Sequence, residues 1–138
     1  MRRSQRILYA ERFEQVVKHI EQSVPRCEAP TLGELAEVAA MSPYHLHRIY
    51  RIITGEAVGE TIRRIRLAHS VPALGEQQSI CAAAENSGYG TSQAYARALR
   101  AVSGSSASEV RAQPDLLETV LKDLRRPRQR KWRRTEPA

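Results

Sequence analysis

Disulfide cross-links are the first thing this sequence excludes, because its 138 residues contain only two cysteines, Cys27 and Cys81, too few for a cross-linked scaffold. A reduced, cytoplasmic setting is the expectation. Aromatic side chains are nearly as scarce, with one Phe, one Trp and five Tyr, so aliphatic residues and tyrosine must build the core. There is no run of 18 apolar residues and no signal-peptide hydrophobic stretch after Arg2 and Arg3, which removes membrane-spanning and secreted readings. Catalytic signatures are missing as well: Glu34, Glu37, Glu85 and the four histidines form no acid–base pair, and no Ser-His-Asp, Gly-rich phosphate loop or nucleophilic Cys pattern occurs. No enzyme activity and no cofactor are expected. His45 and His47, at i and i+2, point in different directions on a helix, and no Cys or carboxylate completes a ligand set, so no metal is expected either.

What the chain has is positive charge, unevenly placed. The formal charge is +7. Residues 122–138 hold Lys122, Arg125, Arg126, Arg128, Arg130, Lys131, Arg133 and Arg134 against Asp123 and Glu136, leaving +1 for residues 1–121, where 14 basic face 13 acidic side chains. Bulk charge therefore describes the tail, and any nucleic-acid argument must rest on where particular arginines sit.

No strand-like alternation of useful length appears, whereas helical periodicity covers most of residues 11–111, so the expected class is all-α. Within it a pattern occurs twice. Leu32, Leu35, Ala36 and Met41 fall on Ile80, Ala83, Ala84 and Tyr89 at an offset of 48. Gly90 adds one residue, after which Ser42, Leu46, Arg48, Ile49, Tyr50, Arg51, Ile53, Thr54 and Gly55 fall on Thr91, Tyr95, Arg97, Ala98, Leu99, Arg100, Val102, Ser103 and Gly104 at an offset of 49. Each copy reads as helix, turn, helix. Leu46, Ile49, Tyr50 and Ile53 stand at i, i+3, i+4 and i+7, and Tyr95, Ala98, Leu99 and Val102 repeat the spacing, which predicts one buried face on each second helix. The opposite faces present Tyr44, His45, His47, Arg48 and Arg51 in the first copy and Gln93, Ala94, Ala96, Arg97 and Arg100 in the second. Thr31 with Glu34 forms a capping-box pattern, Ser79 is a candidate cap for the matching helix, and Thr91 or Ser92 for the one after it. Gly88 suits the left-handed turn of the second copy. Ala40 occupies the equivalent place in the first, where left-handed backbone costs about 1 kcal/mol, so either the turn differs there or the first unit tolerates that strain.

The periodicity divides the chain into an N-terminal arm (1–9), a first unit (10–56) opening on an amphipathic helix at about 10–23, a connecting helix (57–71), a second unit (72–112), a short helix (113–124) and a basic tail (125–138). Pro25 stops the first helix. Pro72 is expected to end the connector near Ser70 or Val71, since it denies Ala68 a hydrogen-bond donor. Pro114 starts the last helix and Pro127 stops it.

From about residue 11 to 111 the chain resembles the DNA-binding domain of the AraC/XylS family of bacterial transcription regulators. The resemblance rests on TLGELAEVAAMSPYHLHRIYRIITG, the connector IRRIRL, and SICAAAENSGYGTSQAYARALRAVSG followed by Arg111. It implies that the second helix of each unit enters a major-groove segment of double-stranded DNA. Base-reading roles then fall on Tyr44, His47 and Arg48 in the first unit and on Ser92, Gln93 and Arg97 in the second, with phosphate contacts on Arg51 and Arg100. It also implies a cytoplasmic, nucleoid-associated regulator, commonly an activator, that engages RNA polymerase. No segment of this chain is long enough for a small-molecule sensor domain, so the resemblance is to the single-domain members or to a fragment of a longer regulator. Ala40, Ala83, Pro72, Ala107 and Val110 depart from the family pattern at structural positions. The alternative reading is a protein-interaction module of the same fold that no longer reads DNA.

Overall fold

The structure, a computed structural model, describes residues 2–26, 28, 30–75 and 89–125. Among them are seven α-helices, one 3-10 turn and no strand. They are α1 (Arg3–Ser23), the turn Val24–Arg26, α2 (Leu32–Ala39), α3 (Pro43–Thr54), α4 (Val58–Gly75), α5 (Ser92–Ser103), α6 (Ala107–Ala112) and α7 (Pro114–Arg125). The helix expected between Ser79 and Gly88, with Cys81 and Ala83, lies outside the described residues, as do Cys27 and the basic tail beyond Arg125. The described helices form two compact units, with the division falling inside α4 between Ile62 and Arg63.

In the first unit α1 packs against α2 and α3. Its stripe of Phe13, Val16, Val17 and Ile20 is buried, and Leu35, Ala36, Ala39, Leu46, Tyr50 and Ile53 meet it from α2 and α3. Phe13 sets its ring edge-on to Tyr50 at 5.1 Å between centroids. Helix α1 begins at Arg3, well ahead of residue 10, although Ile7 and Leu8 stay exposed. No buried stripe announces these first turns, although Arg3, Gln5, Arg6 and Leu8 among them are good helix formers. Thr31 caps α2, its Oγ1 accepting from the Glu34 amide at 3.1 Å, while the Glu34 carboxylate lies 3.9 Å from His19. Ala40 does take the left-handed conformation, at φ 57° and ψ 46°. Its amide donates to Glu37 O at 3.1 Å and the Met41 amide to Ala36 O at 3.0 Å, the paired bonds of a Schellman motif.

Beneath α3 runs a buried polar chain. Thr61 Oγ1 donates to Glu56 Oε1 at 2.6 Å, so its own oxygen is left to accept from the Tyr50 hydroxyl at 2.7 Å. Glu56 and Thr61 are almost wholly buried, and this chain supplies partners that their burial demands.

The second unit closes on Leu67, Val71, Leu74, Tyr95, Leu99, Ala107, Val110, Val120 and Leu124. Here the structure corrects the expected end of the connector: α4 runs through Pro72 to Gly75. Val71 and Leu74 flank the proline and are fully buried, so breaking the helix at Ser70 would expose two aliphatic side chains, worth about 1.5 to 3 kcal/mol each. That matches or exceeds the roughly 3 kcal/mol an interior proline costs. The buried face of α5 also ends earlier than its spacing predicts. Tyr95 and Leu99 are sealed but Val102 is 43% exposed, because Ala107 and Val110 of α6, with α7, already close the core beside Leu99. Arg64 of α4 donates from Nη1 to Leu124 O at 2.9 Å, satisfying a carbonyl at the end of α7.

Candidate nucleic-acid interface

The two second helices, α3 and α5, are built by the same local chemistry. Ser42 and Thr91, each in extended backbone, cap them by accepting from the amides of His45 (3.2 Å) and Ala94 (3.1 Å). Gly55 (φ 82°) and Gly104 (φ 76°) end them in left-handed turns, donating to Arg51 O and Arg100 O. Thr54 Oγ1 donates to Tyr50 O at 2.8 Å and accepts from the Glu56 amide at 3.3 Å. Ser103 does the same with Leu99 O at 2.6 Å and the Ser105 amide at 3.2 Å. The correspondence continues past the residues that displayed it in sequence. The Ala57 amide meets Glu60 Oε1 at 3.4 Å and the Ser106 amide meets Glu109 Oε1 at 3.4 Å, so the first turn of α4 is the counterpart of α6. Ser106 and Glu109 complete a reciprocal capping box there. The Ser-x-x-Glu spacing at 106–109 was legible as a capping signal, but it stood outside the two matched segments.

On α3 the structure places Tyr44, His47 and Arg48 on one exposed face, with Tyr44 75% exposed at the amino-terminal turn. Arg51 lies one turn further on, its guanidinium 3.5 Å from Glu60. On α5 Gln93, Arg97 and Arg100 are exposed, and Ser92, the first helical residue, is half-buried. Arg48 and Arg97 therefore occupy the same turn of equivalent helices, each opposite a sealed core face. Guanidinium groups so placed offer two parallel N–H donors, the geometry that fits guanine O6 and N7; Gln93 has the donor and acceptor that fit adenine. His45 departs from the face assigned to it. It is half-buried and turned to α1, with its Nε2 3.3 Å from the Tyr9 hydroxyl and the two rings edge-on at 6.0 Å.

Tyr9 is the residue that sequence reasoning missed, because its partner is 36 positions away and no short-range pattern signals the contact. Glu60, which engages Arg51, was equally silent. Tyr89 and Tyr95 stack edge-on at 5.9 Å, with the Arg66 guanidinium 4.6 Å over the Tyr89 ring. Burial pushes the Tyr89 hydroxyl above its ordinary titration range, against the opposing pull of Arg66 and then Arg63. Burial likewise raises Tyr95, which gives its proton to Ser70 Oγ at 2.8 Å while Ser70 donates to Leu67 O. Among the described residues no group of histidine, cysteine and carboxylate side chains is arranged to hold a metal ion, and no helix is long and apolar enough to cross a membrane.

A family model described as a helix-turn-helix domain matches residues 35–113, a span that contains both α3 and α5. Over 70 residues the chain is 39% identical to an HTH-type transcriptional regulator of Mycobacterium tuberculosis, a match covering 50% of this chain and 27% of that protein. The chain thus aligns with a little over a quarter of that relative's length.

Proposed function

From a chain that belongs to the AraC-type helix-turn-helix family, we propose a transcription regulator that binds double-stranded DNA sequence-specifically through two recognition helices, α3 and α5, set in successive major-groove segments. The observation that carries this reading is the pairing of exposed donors on identically capped helices: Tyr44, His47 and Arg48 on one, Gln93 and Arg97 on the other. In this reading Ser92 joins the base-reading set through its place in the first turn of α5. Arg51 and Arg100, one turn toward the carboxyl ends, take phosphates, and Arg51 exchanges Glu60 for one. The setting is the cytoplasm and nucleoid, and RNA polymerase is the protein partner such a regulator engages or displaces. The mycobacterial relative, an HTH-type transcriptional regulator, points the same way.

Selection from a random duplex library at about 150 mM salt, where nonspecific binding is partly screened, tests the reading. A bipartite motif with half-sites about 10 base pairs apart supports two reading helices; a single half-site leaves one unit reading. No enrichment turns the assignment to a protein-interaction module of the same fold. On the selected site, Arg48→Ala and Arg97→Ala each remove about 1 to 3 kcal/mol of discrimination at one base position. Unchanged preference in both variants overturns the assigned faces.

A further inference from the structure

The first two turns of α1 are not used by the core: Arg3, Arg6, Ile7 and Leu8 are all exposed, as is Arg2 just ahead of the helix. Their register is nevertheless fixed. Arg2, Arg6, Tyr9 and Phe13 follow one another at i, i+4, i+7 and i+11, a single stripe along a helix, and the Arg6 amide donates to Arg2 O at 3.1 Å. The lower half of the stripe is docked on α3, Phe13 against Tyr50 and Tyr9 against His45. Four residues toward the amino terminus of α1 thus correspond to five residues toward the amino terminus of α3, and the stripe runs along α3 in the same direction. His45 is the third residue of α3. Continuing the stripe by the helical rise, Arg6 lies about 4.5 Å and Arg2 about 10 Å beyond Tyr9 along the axis, level with or past the start of α3. Helical side chains also lean toward the amino terminus, which carries the Arg6 guanidinium further that way.

We propose that Arg2 and Arg6 are DNA phosphate contacts, positioned by the Tyr9–His45 packing so that they grip the backbone beside the groove segment that α3 enters. The proposal rests on the DNA-reading assignment of α3, whose amino-terminal turn is the end presented to base edges in this kind of docking. It gives the start of α1 a purpose that packing does not: helical turns bearing two arginines, held by an aromatic contact to the reading helix and contributing no core residue before Ala10.

The test is the salt dependence of binding to the duplex selected above. Arg2→Gln and Arg6→Gln are each expected to lower the slope of log affinity against log salt by about 0.9, with affinity falling about 5-fold per arginine at 150 mM salt and site preference unchanged. Arg6→Lys retains the charge and is expected to keep the slope. Lys18→Gln removes an exposed charge from the opposite side of α1 and is the control expected to leave the slope at its parent value. Wild-type slopes in both Arg→Gln variants, or an equal loss in Lys18→Gln, overturn the phosphate contacts while leaving α3 as a reader. Failure of the unaltered protein to select any duplex refutes the DNA-reading assignment and this inference with it.

Discussion

Replacing Ala40 by glycine is expected to make the protein more stable, an unusual direction for a point substitution. Ala40 is the one non-glycine residue with positive φ among the described residues. An L residue held there loses about 1 to 2 kcal/mol to the approach of its Cβ to the following carbonyl. Glycine removes that strain but enlarges the conformational freedom of the unfolded chain, which costs about 0.4 to 1 kcal/mol. The Ala40 methyl is exposed, so no packing is lost, and both turn hydrogen bonds use the backbone alone. The balance is a gain of about 0.5 to 1 kcal/mol. With a urea m-value of about 1.5 kcal/mol/M, the unfolding midpoint rises by about 0.3 to 0.7 M. Two companions bracket the effect. Ala40→Val, β-branched in left-handed backbone, is expected to fall below the parent. Ala39→Gly, one residue earlier and buried in ordinary helix, is expected to lose about 1 kcal/mol or more. An Ala40→Gly midpoint at or below the parent value refutes the reasoning, because the strain term would then be absent.

Pro72→Ala restores a donor for the Ala68 carbonyl and is expected to stabilise by about 2 kcal/mol, the roughly 3 kcal/mol cost of an interior proline less up to about 1 kcal/mol of unfolded-state entropy; thermal unfolding that moves downward contradicts this. In alkaline solution the sign follows from the two buried phenols. Their folded-state titration lies above the ordinary value of 10.0, so their contribution is fully present below about pH 10 and is lost as pH rises from there toward the folded-state values, with a slope of up to about 1.4 kcal/mol per pH unit for each tyrosine. Urea midpoints between pH 8 and 11 measure it, and Tyr95→Phe is expected to flatten the decline while losing about 1 kcal/mol near neutrality with the Ser70 bond. An undiminished decline in that variant shows that Tyr95 is not among its sources.

The parts of this fold that were legible in sequence are those fixed within a turn or two of chain. Thr31 and Thr91 announce themselves as caps by residue type at a set distance from an apolar stripe, whereas the left-handed turn at Ala40 is suggested only by its match to Gly88 and is decided by the structure. What escaped depends on partners far away in the chain. The start of α1 at Arg3 carries no stripe of its own, and the contact that gives it meaning reaches from Tyr9 to His45. The passage of α4 through Pro72 follows from the burial of Val71 and Leu74 in a core completed by Val120 and Leu124, which local proline rules do not register. Val102 failed in the opposite sense: its spacing is right, but α6 arrives first. For the candidate interface, the exposed face was readable from periodicity, whereas the capture of His45 by α1 and of Arg51 by Glu60 was not.

Pro114 sets where the helix that follows the second copy of the pattern ends. At the offset of 49 it stands where Ile65 stands, and Gln113 before it is driven into extended backbone at φ −126° and ψ 103°, as the residue preceding a proline tends to be. The segment that in α4 runs on as a long rod is thereby cut to the six residues of α6, and α7 folds back to plug the core that another rod would have led away from. A helix-permissive residue at 114 frees α6 to fuse with α7, which would strip Val120 and Leu124 from that core.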